Sequence, residues 1–327
     1  MKTLLFSIFL LSALQFFTQD LHVVNLREEW FNSTHLTTTE KPLVATFPKN
    51  TINKQQLCAL EPDLHCFTEY NWDDLAASTR GKRVLVLIHG MAKDWSIANK
   101  DFFNMYWTAQ RNLDGYDMVI GISWPGGSHI DPKSYVVANR LVKKSGKFMR
   151  TFFKEITEFA SEINVITHSM GSKVICWGTR GTEVQFDNIV LMAPSILRNK
   201  LKPMRRWHEL FNHSTNKIIV AYSNQDLAFA WTKIQHVGMG YDGMKVRSEK
   251  RYPNLVQIDC TSTINQRAFM QYPREPFRSR SNHSSYCQSD PVFNAIQDIL
   301  SMPPNPEALR LSLKSADFQS KSEKLNP

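Results

Sequence analysis

The sequence lacks an internal membrane span: past its N-terminal segment, no apolar run approaches the ~20 residues that a bilayer-crossing helix needs. Cysteine is scarce, five in 327 residues, and no two cysteines stand in C-x-x-C spacing, so a zinc framework is not expected. No internal repeat is present, which leaves solenoids and propellers unsupported. Net charge is +9, from 39 basic and 30 acidic residues, yet no aromatic-interleaved basic stripe or nucleic-acid motif accompanies it. The basic residues Lys143/Lys144, Lys202, Arg205/Arg206 and Arg278/Arg280 are scattered along the chain. Nucleic acid is therefore not an expected partner. The surplus reads as a solvated basic surface, with attraction to a membrane surface left open.

What is present is a globular balance, 42% apolar and 21% charged, in a chain long enough to bury one substantial core. Lys2 precedes the apolar run Leu4–Phe17, broken only by Ser7, Ser12 and Gln15. A basic start and a short apolar stretch predict a signal peptide over residues 1–18 and a secreted protein. Small residues at A-x-A spacing are missing before Thr18 and Asp20, so an uncleaved membrane anchor stays open as the alternative. Secretion would expose the cysteines to oxidation. Cys58 can then pair with Cys66, and Cys260 with Cys287, leaving Cys176 as a small apolar residue on a helix. Sequons at Asn32, Asn212 and Asn282 predict a glycoprotein.

Residues 19–80 show little regular period and read as an N-terminal leader with a few short strands. From there the pattern sharpens. Arg83–Ile88 is a continuous β-branched and leucine run, as expected of a strand buried on both faces. Strands follow at residues 117–123, 164–166, 188–192, 217–222 and 255–259. Between them lie helical patterns at 95–112, over a long stretch around 137–156 carrying Lys143, Lys144, Lys147 and Lys154, and from Met170 to about Gly178. A last helix spans 291–300, with Asp290 expected as its N-cap and Pro291 at its first position. This alternation predicts an α/β class, a mostly parallel central sheet with helices on both faces. The expected bounds are 81–302 for this domain and 303–327 for a mobile C-terminal tail.

The segment that carries chemistry is Val165-Ile-Thr-His-Ser-Met-Gly171. A strand runs into Thr167-His168-Ser169-Met170-Gly171 and a helix begins at once, the context of a G-x-S-x-G nucleophile elbow. The bend holds the serine in a strained conformation, and residues two away must be small; Gly171 meets this and Thr167 replaces the usual first glycine. The helix N-terminus aims its N–H groups at developing negative charge. The Met170 N–H is thus one expected oxyanion donor, and the loop His89-Gly90-Met91 supplies the second, Met91 N–H, with Ala92 as fallback. Ser169 needs a base and the base an orienter. In chain order Ser–acid–His, Asp226 after the 217–222 strand is the expected acid, with Asp187 and Asp259 as competing carboxylates. His283, before the last helix, is the expected base over His236. A glycan on Asn282 would obstruct that base, so either Asn282 is unmodified or His283 is not catalytic. His89 and His168 read as structural neighbours, and Trp124-Pro-Gly-Gly127 as a loop at the sheet end.

These landmarks resemble α/β hydrolases of the uncharacterised "domain of unknown function" type widespread in bacteria. The resemblance rests on Leu87-Ile-His-Gly90, Ile122-Ser-Trp-Pro125, Thr167-His-Ser-Met-Gly171, Leu191-Met-Ala-Pro194, Ala221-Tyr-Ser-Asn-Gln-Asp226 and His283-Ser-Ser-Tyr286, in that order over residues 82–302. It implies the α/β-hydrolase fold and Ser169, Asp226 and His283 as triad. Thr167 and Ser195 depart from the pattern, Ser195 standing where members often carry aspartate. The expected activity is hydrolysis of a small-molecule or lipid ester with no metal or organic cofactor. Thioester or amide cleavage, or a non-catalytic secreted binding protein of the same fold, are the alternatives.

Overall fold

The computed structural model describes residues 19–28, 34–38, 42–47, 68–91, 95–127, 132–201, 207–229, 238–244, 252–264, 282–303 and 309–313. The expected signal peptide, Cys58 and Cys66, Asn32, Ala92 and His236 lie outside the described residues. In chain order the elements are β1 (Leu21–Asn25), β2 (Leu43–Phe47), β3 (Thr68–Tyr70), α1 (Trp72–Ser78), β4 (Arg83–Ile88), α2 (Trp95–Asn112), β5 (Met118–Ser123) and α3 (Pro132–Phe159). There follow β6 (Glu162–His168), α4 (Gly171–Thr179), β7 (Phe186–Met192), β8 (Ser214–Tyr222), α5 (Met239–Asp242), β9 (Leu255–Asp259), α6 (Asp290–Ser301) and β10 (Leu309–Ser312). Among the described helices none is long and apolar enough to cross a membrane.

The strands form one ten-stranded sheet in the order β10-β9-β8-β7-β6-β4-β5-β1-β2-β3. Pairing is parallel from β10 through β1 and antiparallel only where β1 meets β2 and β2 meets β3. The continuous apolar run of β4 is explained by its two faces. Val84, Val86 and Ile88 enter one core with Phe152 of α3 and Val174 of α4. Leu85 and Leu87 enter the other with Phe102 of α2 and Phe293 of α6. From β4 the chain moves to β5 on one side, then crosses to β6 on the other. That reversal opens a crevice at the carboxyl ends of β4 and β6, where open α/β sheets bind ligands.

Four expectations are refined or corrected. Within 19–80, expected as a leader with a few short strands, β1 pairs in parallel with β5, Val23 against Gly121, and carries β2 and β3 into the same sheet. Beyond 302, where a tail was expected, β10 pairs with β9 and Leu313 N–H bonds Asp259 O at 3.0 Å. The N-cap of α6 is Ser289, whose Oγ accepts from Val292 N–H at 3.4 Å. Asp290 is instead held by Arg111 Nη2 at 2.8 Å and Asn112 Nδ2 at 2.6 Å, which draws its carboxylate to α2. Cys260 and Cys287 are buried thiols not joined to each other. Cys260 Sγ turns to Ile258 O, while Cys287 Sγ lies with Asp101 and His168. Cys176 is buried on α4 as expected.

His22 on β1 bonds Thr46 Oγ1 of β2 at 2.8 Å. Burial, offset in part by Asp20, lowers its pKa to about 4. Below the unfolded value of ~6.5 the unfolded chain therefore takes up a proton that the folded chain refuses. Stability should fall as pH drops from ~6.5 to 4, by on the order of 3 kcal/mol from this group alone. Denaturant midpoints across that window should decline less steeply in His22→Gln than in wild type; parallel profiles would assign the loss elsewhere.

Candidate active site

Ser169 stands where β6 ends beside the crevice. Its φ is +52°, and among the described residues only Ala193 shares a positive φ without being glycine. Such strain persists only where surroundings over-determine it. Here Ser169 N–H bonds Met192 O at 2.9 Å, and Ser169 O accepts from Ser172 Oγ at 2.6 Å and Ser195 N–H at 3.1 Å. Strand β7, the segment after it and the first turn of α4 thus grip the residue together. Gly171 is required by close approach: a Cβ there would lie 2.6 Å from His89 O and 2.7 Å from Ile88 O, forcing α4 off β4. Thr167 is tolerated because it is still in β6, between Ile88 and Leu191, with its hydroxyl bonded to Val190 O at 3.3 Å.

The loop after β4 presses against this turn. A Cβ on Gly90 would sit 3.1 Å from Ser169 Cβ and 3.2 Å from His168 Nδ1. His89 fixes the loop. The Trp124 backbone N–H donates to His89 Nε2 at 3.1 Å, so the ring proton is on Nδ1 and donates to Gly90 O at 2.6 Å. The Trp124 indole returns a bond to His89 O at 2.9 Å and stacks on the imidazole. With Gly90 C=O held towards the ring, the Met91 N–H, trans to it across the same peptide, points the other way. Gly126 packs on the loop as well, a Cβ there meeting Gly90 O at 3.1 Å. The Trp-Pro-Gly-Gly turn is therefore the loop's backing. Met170 is the N-cap of α4, where helical N–H groups have no partner within the helix.

Asp226 and His283 are brought into direct contact, His283 Nδ1 to Asp226 Oδ2 at 2.7 Å. An ionised carboxylate only accepts, so Nδ1 carries the proton and Nε2 keeps its lone pair. The other oxygen, Oδ1, accepts from Ala228 N–H at 3.0 Å. The carboxylate is fully buried, and the imidazole, 16% exposed, stays accessible. Phe229 meets that ring edge-on. His283 lies in the short 3-10 turn Asn282–Gln288, whose backbone is tied to the elbow: His168 Nε2–H donates to His283 O at 2.9 Å. The competing carboxylates are spent elsewhere. Asp187 accepts from Ile163 N–H at the opposite end of the sheet, and Asp259 Oδ1 accepts from Thr261 N–H.

Asn282 answers the sequon question. It is fully buried and grips both neighbours of Asp226: Nδ2–H donates to Gln225 O at 2.8 Å, and Oδ1 accepts from Leu227 N–H at 3.0 Å. The nitrogen that would carry a glycan is buried, which favours the unmodified one of the two alternatives; Asn212 is exposed. Chain purified from a secretory host should show no glycan on Asn282 by peptide mass mapping, and an occupied site would mean that this clip does not form.

Two groupings escaped the sequence reading. Lys173, four residues past Ser169, is buried with its ammonium on Tyr135 Oη at 3.0 Å and Asn139 Oδ1 at 2.9 Å. Burial pushes the Tyr135 phenol up, but the Lys173 charge and hydrogen bonds from Lys173 and Ser195 outweigh it and hold it below the ordinary tyrosine value. Asp101 of α2, His168 and Cys287 converge beside His283, their donor atoms within 4.8 Å of one another. Among the described residues this is the one group that could hold a metal ion. Neither grouping is visible in the sequence, because its members are 34 or more residues apart in at least one pair.

The family described as "Alpha/beta hydrolase of unknown function (DUF900)" matches residues 68–242. The chain belongs to this family. In this DUF900 chain the matched span holds Ser169, Asp226 and the His89-Gly90 loop, and ends before His283. Solved structures similar to it include Est1E from Butyrivibrio proteoclasticus, 10% identical over 80% of this chain and 93% of that one, with a TM-score of 0.40. Another is an inhibited esterase B from Lactobacillus rhamnosis, 10% identical over 66% of this chain and 70% of that one, with a TM-score of 0.31. No curated protein matches.

Proposed function

We propose that this α/β hydrolase is a serine esterase, cleaving carboxylic esters of small molecules or lipids through Ser169, His283 and Asp226. The observation that carries the reading is the 2.7 Å bond from His283 Nδ1 to the buried Asp226 carboxylate, which in the neutral imidazole puts the proton on Nδ1 and the lone pair on Nε2. In the reaction, His283 Nε2 takes the proton of Ser169 Oγ as that oxygen attacks the ester carbonyl. The Met170 and Met91 N–H groups hold the resulting oxyanion. The imidazolium, stabilised by Asp226, then gives its proton to the departing alkoxide. Water, deprotonated by the same nitrogen, attacks the acyl-enzyme and frees the acid and Ser169. Lys2 and the run Leu4–Phe17 support a secretory route for the enzyme.

The test is covalent. A fluorophosphonate probe should label the wild-type chain and spare Ser169→Ala. Equal labelling of both would remove Ser169 from the mechanism; labelling of neither would favour a non-catalytic member of the fold.

A further inference from the structure

We propose that α3 docks this protein on an anionic lipid bilayer, with the first turn of the helix at the active-site pole. The inference deepens the esterase reading by naming a lipid surface as the place where substrate is met, and it rests on that reading for this purpose.

Charges that look scattered in the sequence are gathered by the fold. Lys133, Arg140, Lys143, Lys144, Lys147 and Lys154 of α3 are all exposed. From residue 133 to 154 the helix holds no acidic residue; Glu155 and Glu158 come only at its end. At 100° per residue these six cations fall within an arc of about 120°. The opposite side of the helix, with Val142, Met149, Phe152, Phe153 and Ile156, is buried in the core. A basic stripe without acids is thus presented to solvent along most of a 28-residue helix.

The stripe ends in apolar groups. Val136 and Val137 lie in the same arc and are 52% and 41% exposed. Tyr135 beside them is 37% exposed, its hydroxyl turned to Lys173. Three of the five large apolar side chains exposed among the described residues therefore stand consecutively in one turn. That turn is at the active-site pole. α3 begins after the carboxyl end of β5, and Lys173 is one helical turn past Ser169.

Charge complementarity selects the occupant. Anionic lipid attracts each nearby lysine or arginine by about 1 kcal/mol, roughly fivefold in affinity per residue. The valines have a use at a lipid interface, where they can enter the acyl boundary. They have none on a nucleic acid, whose phosphates take lysines and arginines and whose bases are met by stacking aromatics or base-edge hydrogen bonds.

The experiment is vesicle flotation with the full chain carrying Ser169→Ala, so that binding is read without turnover. Vesicles of phosphatidylcholine with phosphatidylserine should retain the protein, and vesicles of phosphatidylcholine alone should not. Lys143→Glu/Lys144→Glu/Lys147→Glu should weaken retention at least ~100-fold. The Gln triple at the same positions, which adds no new charge, should weaken it in the same direction. Val136→Asp/Val137→Asp should also reduce retention. Far-ultraviolet circular dichroism checks that the variants are folded. Absence of retention on the phosphatidylserine vesicles, retention that survives both lysine triples, or tighter binding to duplex DNA would each overturn the proposal. None of these results bears on the fluorophosphonate test, which reads the esterase reading separately.

Discussion

Ser169→Ala is expected to lower kcat for a p-nitrophenyl ester by roughly 10⁵–10⁶-fold, the scale seen when a nucleophile is removed from such a triad. The change deletes one oxygen and nothing else. The bonds that hold the bend, from Ser169 N–H to Met192 O and from Ser172 and Ser195 to Ser169 O, use the backbone and survive in alanine. Alanine bears the φ of +52° about as serine does, so the variant should fold. Activity within tenfold of wild type in a folded Ser169→Ala protein would mean that another group attacks the ester.

Asp226→Asn is the second large effect, about 10⁴-fold in kcat. Its cause is a tautomer dictated by the neighbours. Ala228 N–H donates to one carboxylate oxygen, so an asparagine there must leave its carbonyl facing Ala228. Its amide NH₂ then faces His283 Nδ1, where Asp226 Oδ2 now accepts at 2.7 Å. Nδ1 is forced to accept, the ring proton moves to Nε2, and the nitrogen needed to deprotonate Ser169 is blocked. Unfolding midpoints should show that Asp226→Asn remains folded. An unchanged kcat would imply that His283 is oriented from elsewhere.

The sequence made the centre of the sheet legible because β4, β5 and the later parts of β7 and β8 are buried on both faces and read as apolar runs. The flanks were hidden for two physical reasons. β1 is five residues long, and its partner β5 lies almost a hundred residues downstream, so no local period announces the pairing. β10 has four residues in a polar, proline-containing stretch and takes its order from β9. At the site, the elbow was readable because its constraint is local: Gly171 must lack a Cβ beside His89 O. Chain order singled out Asp226 and His283, which the fold brings into contact. What chain order could not reveal was long-range bonding. The sequon left Asn282 open between glycan carrier and structural residue, and nothing local shows that its amide clasps residues 225 and 227. Asp290 looked like a cap until Arg111 and Asn112 claimed it.

The position of β1 bears on how the protein can be handled. Cutting the chain to residues 81–302, the bounds the hydrophobic pattern suggests, would strip β5 of its parallel neighbour and leave its N–H and C=O groups bare along one margin. Leu21, Val23 and Val24, wholly buried now, would no longer cover the residues packed on them. An open parallel margin of this kind recruits other chains. The shortened protein should accumulate as insoluble aggregate, whereas a version retaining residues 19–313 should stay in solution.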